Sequence, residues 1–530
     1  MTTSNPSSMP AAITSHRRLA RLGASAVALA FALGACGPKK TTTPEPVTTP
    51  PVATTPEPKP EPVAQTAPAK VYPDPPPPSE AKPVNFPTAA NFSLPNGLQV
   101  YVVENHELPV VSVQLSVRAG SMDAEQIAPF VSAMLGEGTK SRPKAKIDEA
   151  IEFVGASISS GSGVHTSGIG SRVLKPDLKL ALTLIADEVM NPAFPEDALN
   201  KLKASAKTAL GFSKSQPSAL AQTLFDMVAY PEGHPYGRPF ATEADIDAVT
   251  VADLRKFHET FYRSNNAYLI LAGDITQKEA EPLVKRAFAA WKAVPTGQSL
   301  PTNPLNQYKT YALPTELTVH LVDRPGSAQS EIIVGNLAIA RSHGDWAALQ
   351  VANSILGDDA GGRLFTDVRE KRGLTYGIYS QISDGQAPGT FAISTRTRTK
   401  STGEMLAAIF EHIKRMRSEA PSQAEFDGVS KKLVGSFPLE IETSDQIADR
   451  LDEALMYELP LDYWRTYRDQ LAAVDVPAVQ RVAKDYIHPI PHVIVVGRAD
   501  KVEKQIKQVF PKAKIVKYDG DLHTVAAPAK

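Results

Sequence analysis

The chain repeats itself, and a repeat of this length limits the fold more than any other feature of its 530 residues. Alternating apolar residues over 111–119 are followed by apolar residues at helical spacing over 127–135. About 220 residues later the same order returns, as a strand pattern over 330–339 and a helical pattern over 346–356. The helical pattern at 251–261 and the apolar strand ending at Gly273 return as 477–486 and the strand ending at Gly497, 224 residues on. A period this long means two copies of one domain, not a solenoid. Further helices are expected over 147–154, 178–189, 220–229, 279–291 and 402–416, and strands within 157–171, 377–383 and 389–396. The turn signal Leu94-Pro95-Asn96-Gly97 precedes apolar alternation over 98–103 and 111–117, which reads as a hairpin. Each half therefore reads as an α+β domain with helices covering an antiparallel sheet. The expected divisions are 89–294 and 315–517, with a connector at 295–314 and a tail at 518–530.

The first 36 residues read as an address. Arg17, Arg18 and Arg21 precede an apolar run over 22–33, which is shorter than the roughly 20 helical residues needed to cross a bilayer. The run ends in Leu33-Gly34-Ala35-Cys36, which resembles the lipobox of bacterial lipoproteins, whose cysteine is acylated and becomes the mature N-terminus. Cys36 is the single cysteine of the chain, which excludes an internal disulfide framework and a cysteine-built metal cluster. Acyl chains contribute about 0.8 kcal/mol per methylene to membrane attachment. Gly37 after the cysteine resembles lipoproteins sent to the outer membrane, so a lipid anchor on the periplasmic face of the bacterial envelope is expected. Residues 37–88 follow as a Pro/Thr-rich tether of polyproline II character: 17 of the 45 prolines fall between Gly37 and Pro87. The 56 Lys and Arg nearly cancel the 57 Asp and Glu, so no electrostatic footprint for nucleic acid is present.

From residue 90 to about 515 the sequence resembles the pitrilysin/insulinase/mitochondrial-processing-peptidase family of zinc peptidases, in its two-domain bacterial form. The matching stretches are 94–103, 111–123, 134–142, Asn191-Pro192-Ala193-Phe194, 234–239 and 261–274, then 322–339 and 361–380, all in family order. The resemblance implies two homologous domains facing one another across a peptide-binding chamber. It also implies an inverted zincin motif, His-x-x-Glu-His, on the first helix of the first domain, with a glutamate from a later helix as third ligand. The anchors Val117-Arg118-Ala119-Gly120 and Met134-Leu135-Gly136-Glu137-Gly138-Thr139 fix where these should fall. The positions hold Pro129, Ser132, Ala133 and, for the distal glutamate, Ala209 or a close neighbour. None of these side chains binds zinc or takes a proton from water. A register shift supplies nothing, because no histidine lies between His106 and His165 and no acidic residue between Asp197 and Asp226. His488 and His492 are close together but flank Pro489 and Pro491, off any helix. The expectation is a chain that holds no metal of its own.

A second family feature remains. Arg369 and Tyr376 stand seven residues apart in Arg369-Glu370-Lys371-Arg372-Gly373-Leu374-Thr375-Tyr376. Read by spacing alone, Arg369 pairs within its own helix and Tyr376 packs in the following strand. The match over 361–380 implies instead that both reach the bound peptide near the scissile bond, where a guanidinium and a phenol can stabilise a carbonyl gaining negative charge. His234-Pro235-Tyr236-Gly237-Arg238 reads as a turn after a helix, and Gly361-Gly362 lacks the strand–helix context of a nucleotide site. Ser162 and His165 sit in strand material that could line the chamber and have no assigned role.

Family members built from two chains divide the labour: one carries the zinc motif and the other supplies the Arg/Tyr pair. The expected function is thus that of a non-catalytic, lipid-anchored subunit of a heteromeric peptidase. Its expected partners are a zinc-bearing homologous chain, an extended peptide and, through Cys36, a membrane. A stand-alone envelope peptide-binding or scaffold protein is a second reading, and a metallopeptidase with a rebuilt site a third.

Overall fold

The computed structural model describes Val84 and residues 86–525; the address, Cys36 and nearly all of the tether lie outside the described residues. In the first half the strands are β1 (Ala89–Ser93), β2 (Gln99–Glu104), β3 (Val110–Val117), β4 (Ile158–Ser162), β5 (Ser167–Leu174) and β6 (Ala267–Gly273). They form one sheet in the order β1-β2-β6-β3-β5-β4. Its helices are α1 (Ile127–Leu135), α2 (Lys144–Phe153), α3 (Leu178–Met190), α4 (Glu196–Ser215), α5 (Pro217–Ala229), α6 (Glu243–Ala248), α7 (Val251–Phe261) and α8 (Gln277–Phe288).

The second half repeats the plan with β7 (Thr318–Asp323), β8 (Gln329–Leu337), β9 (Thr375–Ile382), β10 (Thr390–Arg398), β11 (His492–Gly497) and β12 (Lys514–Tyr518), ordered β12-β7-β11-β8-β10-β9. Its helices are α9 (Trp346–Leu356), α10 (Thr402–Ser418), α11 (Gln423–Ser436), α12 (Ser444–Met456), α13 (Tyr463–Ala472), α14 (Val476–Tyr486) and α15 (Ala499–Val509). A π-helical turn, Phe365–Lys371, precedes β9. Many helices start where a hydroxyl and an acid or amide three residues on satisfy each other's backbone donors, as at Thr250/Asp253, Thr276/Glu279 and Thr443/Gln446.

Two expectations need correction. The sheets are mixed, not antiparallel: β2 runs parallel to β6, and β7 runs parallel to both β11 and β12. The expected hairpin between 98–103 and 111–117 does not form either. The Leu94-Pro95-Asn96-Gly97 turn, with Gly97 at φ 87°, joins β1 to β2, and β6 inserts between β2 and β3. The cause lies in β6, all seven of whose residues are buried. A strand apolar on both faces belongs in the middle of a sheet covered on both sides. Gly273, which ends β6, has φ 132°, and a Cβ there would lie 2.1 Å from the Val110 carbonyl oxygen, so only glycine fits this approach.

The second cover of each sheet comes from the other half. On one face of the first sheet, Val100, Leu115, Leu269 and Leu271 pack with α1, α3, α7 and α8 in one core. On the other face, α12 from the second half lies across β3 and β6, and Tyr268, Ile270 and Ala272 share a core with Ala448 and Leu451. There Ser116 and Tyr268 donate to the Asp452 carboxylate at 2.7 and 2.9 Å, and Arg118 to the Leu455 carbonyl at 3.0 Å. Reciprocally, α5 from the first half lies across β8 and β11, burying Leu220, Leu224 and Phe225 against Ile333, Ile494 and Val496. The chamber expected between the two sheets does not open at these central strands, each of which is capped by a helix of its counterpart. Part of the expected tail is also built in, since Tyr518 ends β12 and Leu522 is buried beside it.

Candidate functional site

Pro129, Ser132 and Ala133 lie on α1, which packs on α7 and β4. Pro129 is the third helical residue, where its missing N–H removes no intrahelical bond. Ser132 is fully buried, its carbonyl accepting from Ser160 Oγ at 2.8 Å and its hydroxyl 3.5 Å from Tyr262 OH, while Pro129 and Ala133 are half-buried. Ala209 is half-buried on α4. Among the described residues no group of three or more His, Cys, Asp or Glu side chains is placed to hold a metal. The residues that replace the motif offer a pyrrolidine, a hydroxyl already facing a phenol, and two methyl groups. They do not fit a zinc ion, and no hydrolytic step can be derived through them.

Arg369 and Tyr376 present a different surface. Arg369 belongs to the π-helical turn and is exposed, its guanidinium carbon 5.4 Å from the centre of the Phe365 ring. Phe365 in turn packs on Tyr379 of β9 at 5.8 Å. Tyr376 lies on β9, the outermost strand of its sheet, and is 93% exposed. Neither side chain makes a hydrogen bond or ion pair among the described residues, so the reading by spacing alone, a helix-paired arginine and a packed tyrosine, does not describe them. Nor do the two touch each other: they share one continuous segment rather than a contact.

That segment is fastened from below by residues the sequence did not single out. Lys432 of α11 donates to Ser354 Oγ, Asp358 and Asp359 at 2.8–2.9 Å, holding the loop that leads from α9 to the turn. Arg363 forms a bidentate pair with Glu425 at 2.8 and 3.0 Å. Within the turn, Asp367 accepts from the buried His412 Nε2 at 2.9 Å and pairs with Arg372 at 2.7 Å; Arg372 also reaches Glu411 at 2.8 Å. Burial opposes the Asp367 charge, but the His412 and Arg372 bonds hold its carboxyl below the ordinary value. Spacing rules carry no signal for these partners, because they come from helices some 40 to 75 residues away.

Where the halves meet, the His234–Arg238 turn follows α5 as expected, but Tyr236 has a further role. Its hydroxyl accepts from the Gln386 and Ala387 backbone N–H groups at 3.1 and 3.3 Å and lies 2.9 Å from His165 Nε2, so one phenol joins both halves. His165 is 6% exposed in the turn between β4 and β5, and lines no chamber. Burial pushes the imidazoles of His165, His234, His320 and His492 down to about 4. The folded chain thus keeps them neutral while the unfolded chain protonates them below about pH 6.5, so stability present above that pH is lost as pH falls toward 4. Glu188 and Asp226, raised by burial to about 7, work in the opposite sense, as do Asp123 and Glu125, but these four carboxyls stand against six imidazoles, since burial lowers His258 and His412 as well. The thermal midpoint is therefore expected to fall between pH 7 and pH 5; a midpoint constant across that range would refute the assignment.

Family comparison places this geometry. Residues 99–240 match the model of the insulinase family (peptidase family M16), and residues 248–433 that of the peptidase M16 inactive domain. The chain belongs to peptidase family M16. An uncharacterized zinc protease of Streptomyces coelicolor is 23% identical over 418 residues, spanning 77% of this chain and 90% of the relative. A Helicobacter pylori protein named non-peptidase homolog YmxG is 23% identical over 393 residues, 72% of this chain and 87% of its own. The solved peptidase M16 inactive domain from Pseudomonas fluorescens superposes with a TM-score of 0.71 at 28% identity, covering 77% of this chain and 98% of that one. This M16 chain thus has a peptidase-like fold, and among its described residues no group of three or more metal-ligating side chains is placed together.

Proposed function

We propose that the chain is a non-catalytic subunit of a two-chain M16 peptidase, binding an extended peptide and presenting Arg369 and Tyr376 to a zinc site on a homologous partner. The observation that carries this reading is the contrast along one segment. Asp367, Arg372 and the preceding Arg363 are fastened to α10 and α11, while Arg369 and the 93% exposed Tyr376 stand free at an open sheet edge. A free edge can accept a peptide as an added strand through main-chain hydrogen bonds, which suits sequence-tolerant binding. Because α5 and α12 close the central strands of the two halves, the peptide chamber forms between this chain and its partner rather than within it. Cys36 anchors the subunit by lipid to the periplasmic face of the envelope, in the outer membrane, with the Pro-rich stretch as tether.

Reconstitution with a zinc-bearing homologue recovered from native membranes tests this. Arg369→Ala combined with Tyr376→Phe is expected to lower kcat on an internally quenched peptide roughly 10²- to 10³-fold, the usual loss when donors to a developing oxyanion are removed. Unchanged turnover removes the reading. If no zinc-bearing homologue co-purifies, the stand-alone peptide-binding or scaffold role takes its place, and stoichiometric zinc on the purified chain would return it to the active peptidases.

A further inference from the structure

A lone exposed arginine is a poor stabiliser of charge, because a side chain with about 2 kcal/mol of rotamer entropy must be ordered each time it acts. Arg369 is not left in that state. It rests on Phe365 at 5.4 Å, and Phe365 rests on Tyr379 of β9 at 5.8 Å, with the ring planes 36° apart. The stack therefore runs from the guanidinium to the edge strand that carries Tyr376. Its base is fastened to the core: Val368, the one buried residue of the turn, enters it, and Asp367 is tied to His412 and Arg372. The turn is closed by a wide backbone bond, Arg372 N–H to the Asp367 carbonyl at 3.0 Å, five residues back. Such π-helical turns cost regular hydrogen-bond geometry and concentrate at functional sites.

We infer that Phe365 is a positioning residue for Arg369: its ring, backed by Tyr379, holds the guanidinium over the open edge of β9, ready to meet a peptide carbonyl. This rests on the proposed function, and it adds a role for a side chain that bonds to nothing polar and would otherwise count as packing. The chemistry is that of a cation held over an aromatic face, which orients the guanidinium while leaving all of its N–H donors available to an oxygen ligand.

The test uses the full chain in the reconstituted complex, with an internally quenched unstructured peptide as probe. Phe365→Leu keeps an apolar side chain and removes the ring; it is expected to lower kcat about two- to fivefold, the range of an exposed cation–π contact, with KM changed less than about twofold. Phe365→Tyr restores the ring and is expected to recover kcat to within about twofold of the parent. The double variant Phe365→Leu/Arg369→Ala should be no slower than Arg369→Ala alone, because a residue that acts only through the guanidinium has nothing left to position. A merely structural role predicts additive losses instead, and additive losses, or an undiminished kcat in Phe365→Leu, overturn the inference. Should Phe365→Leu fail to fold, Tyr379→Leu, which removes the backing ring, is read in the same cycle with the same criteria. If Arg369→Ala itself leaves kcat unchanged, the proposed function fails; if it lowers kcat while the Phe365 and Tyr379 variants do not, only the positioning role fails.

Discussion

Expressed separately, residues 84–300 and 301–525 are each expected to show no cooperative thermal transition, whereas the two fragments produced together are expected to assemble and co-purify. The two halves look like independent domains by homology, yet each completes the other's sheet. Alone, the first fragment would expose Leu220, Leu224 and Phe225 of α5 together with the face of β6 that α12 covers; the second would expose Ile333, Ile494 and Val496. At roughly 1.5–3 kcal/mol per large apolar side chain, the lost burial is on the order of 10 kcal/mol, comparable with the whole margin of about 5–15 kcal/mol that keeps a domain folded. Calorimetry of each fragment decides the matter. A single fragment that melts cooperatively with its own core intact would show that the helix exchange is dispensable.

Arg341→Ala is expected to destabilise the chain by about 3–5 kcal/mol, the cost of breaking a buried charge pair. Arg341 is 2% exposed, donates to Glu453 and to the Tyr463 hydroxyl, both at 2.9 Å, and lies over the rings of Trp346, Tyr463 and Trp464 at 4.8, 4.8 and 5.5 Å. Its backbone N–H also reaches the Gly385 carbonyl at 2.9 Å. One side chain thereby ties the segment before α9 to α12, the helix that caps the first sheet, and to α13. Lysine cannot reproduce a planar fork that bonds and stacks at once, so Arg341→Lys should recover only part of the loss. Urea unfolding measures this: the midpoint should fall with the slope unchanged. A shift below about 1 kcal/mol would place the residue among ordinary surface arginines.

Much of this molecule was legible before any tertiary contact was known. The helical patterns at 127–135, 251–261 and 346–356 appear at those residues as α1, α7 and α9, because each spans about two and a half to three turns with apolar residues at helical spacing. The two-fold repetition of the sheet follows from the sequence period, and Pro129, Ser132 and Ala133, where the family resemblance implies the zinc motif, are side chains that no packing turns into ligands. Local pattern misled where strands choose neighbours. Residues 98–103 and 111–117 alternate as a hairpin should, but pairing is non-local, and the fully apolar β6, 150 residues on, occupies the place between them. The same applies to α4, whose apolar stripe is faint because only Ala198 and Leu199 are buried.

For the candidate site the division is similar. The family resemblance over 361–380 brought Arg369 and Tyr376 to attention, since spacing alone reads them as helix-paired and packed, but whether they were paired, packed or free depended on groups far away in the chain. His412, Lys432 and Glu425 hold the segment, Phe365 and Tyr379 carry the guanidinium, and β9 is an edge because no other strand pairs beyond it among the described residues. By itself the sequence determined that the domain is used twice and that Pro129, Ser132 and Ala133, where the resemblance implies the zinc motif, are not metal ligands, since periodicity and side-chain chemistry are local properties. Only the tertiary structure decided that the halves exchange helices, that no chamber lies between their central strands, and which face of the Arg369 segment is free, because burial and pairing are set by residues tens to hundreds of positions apart.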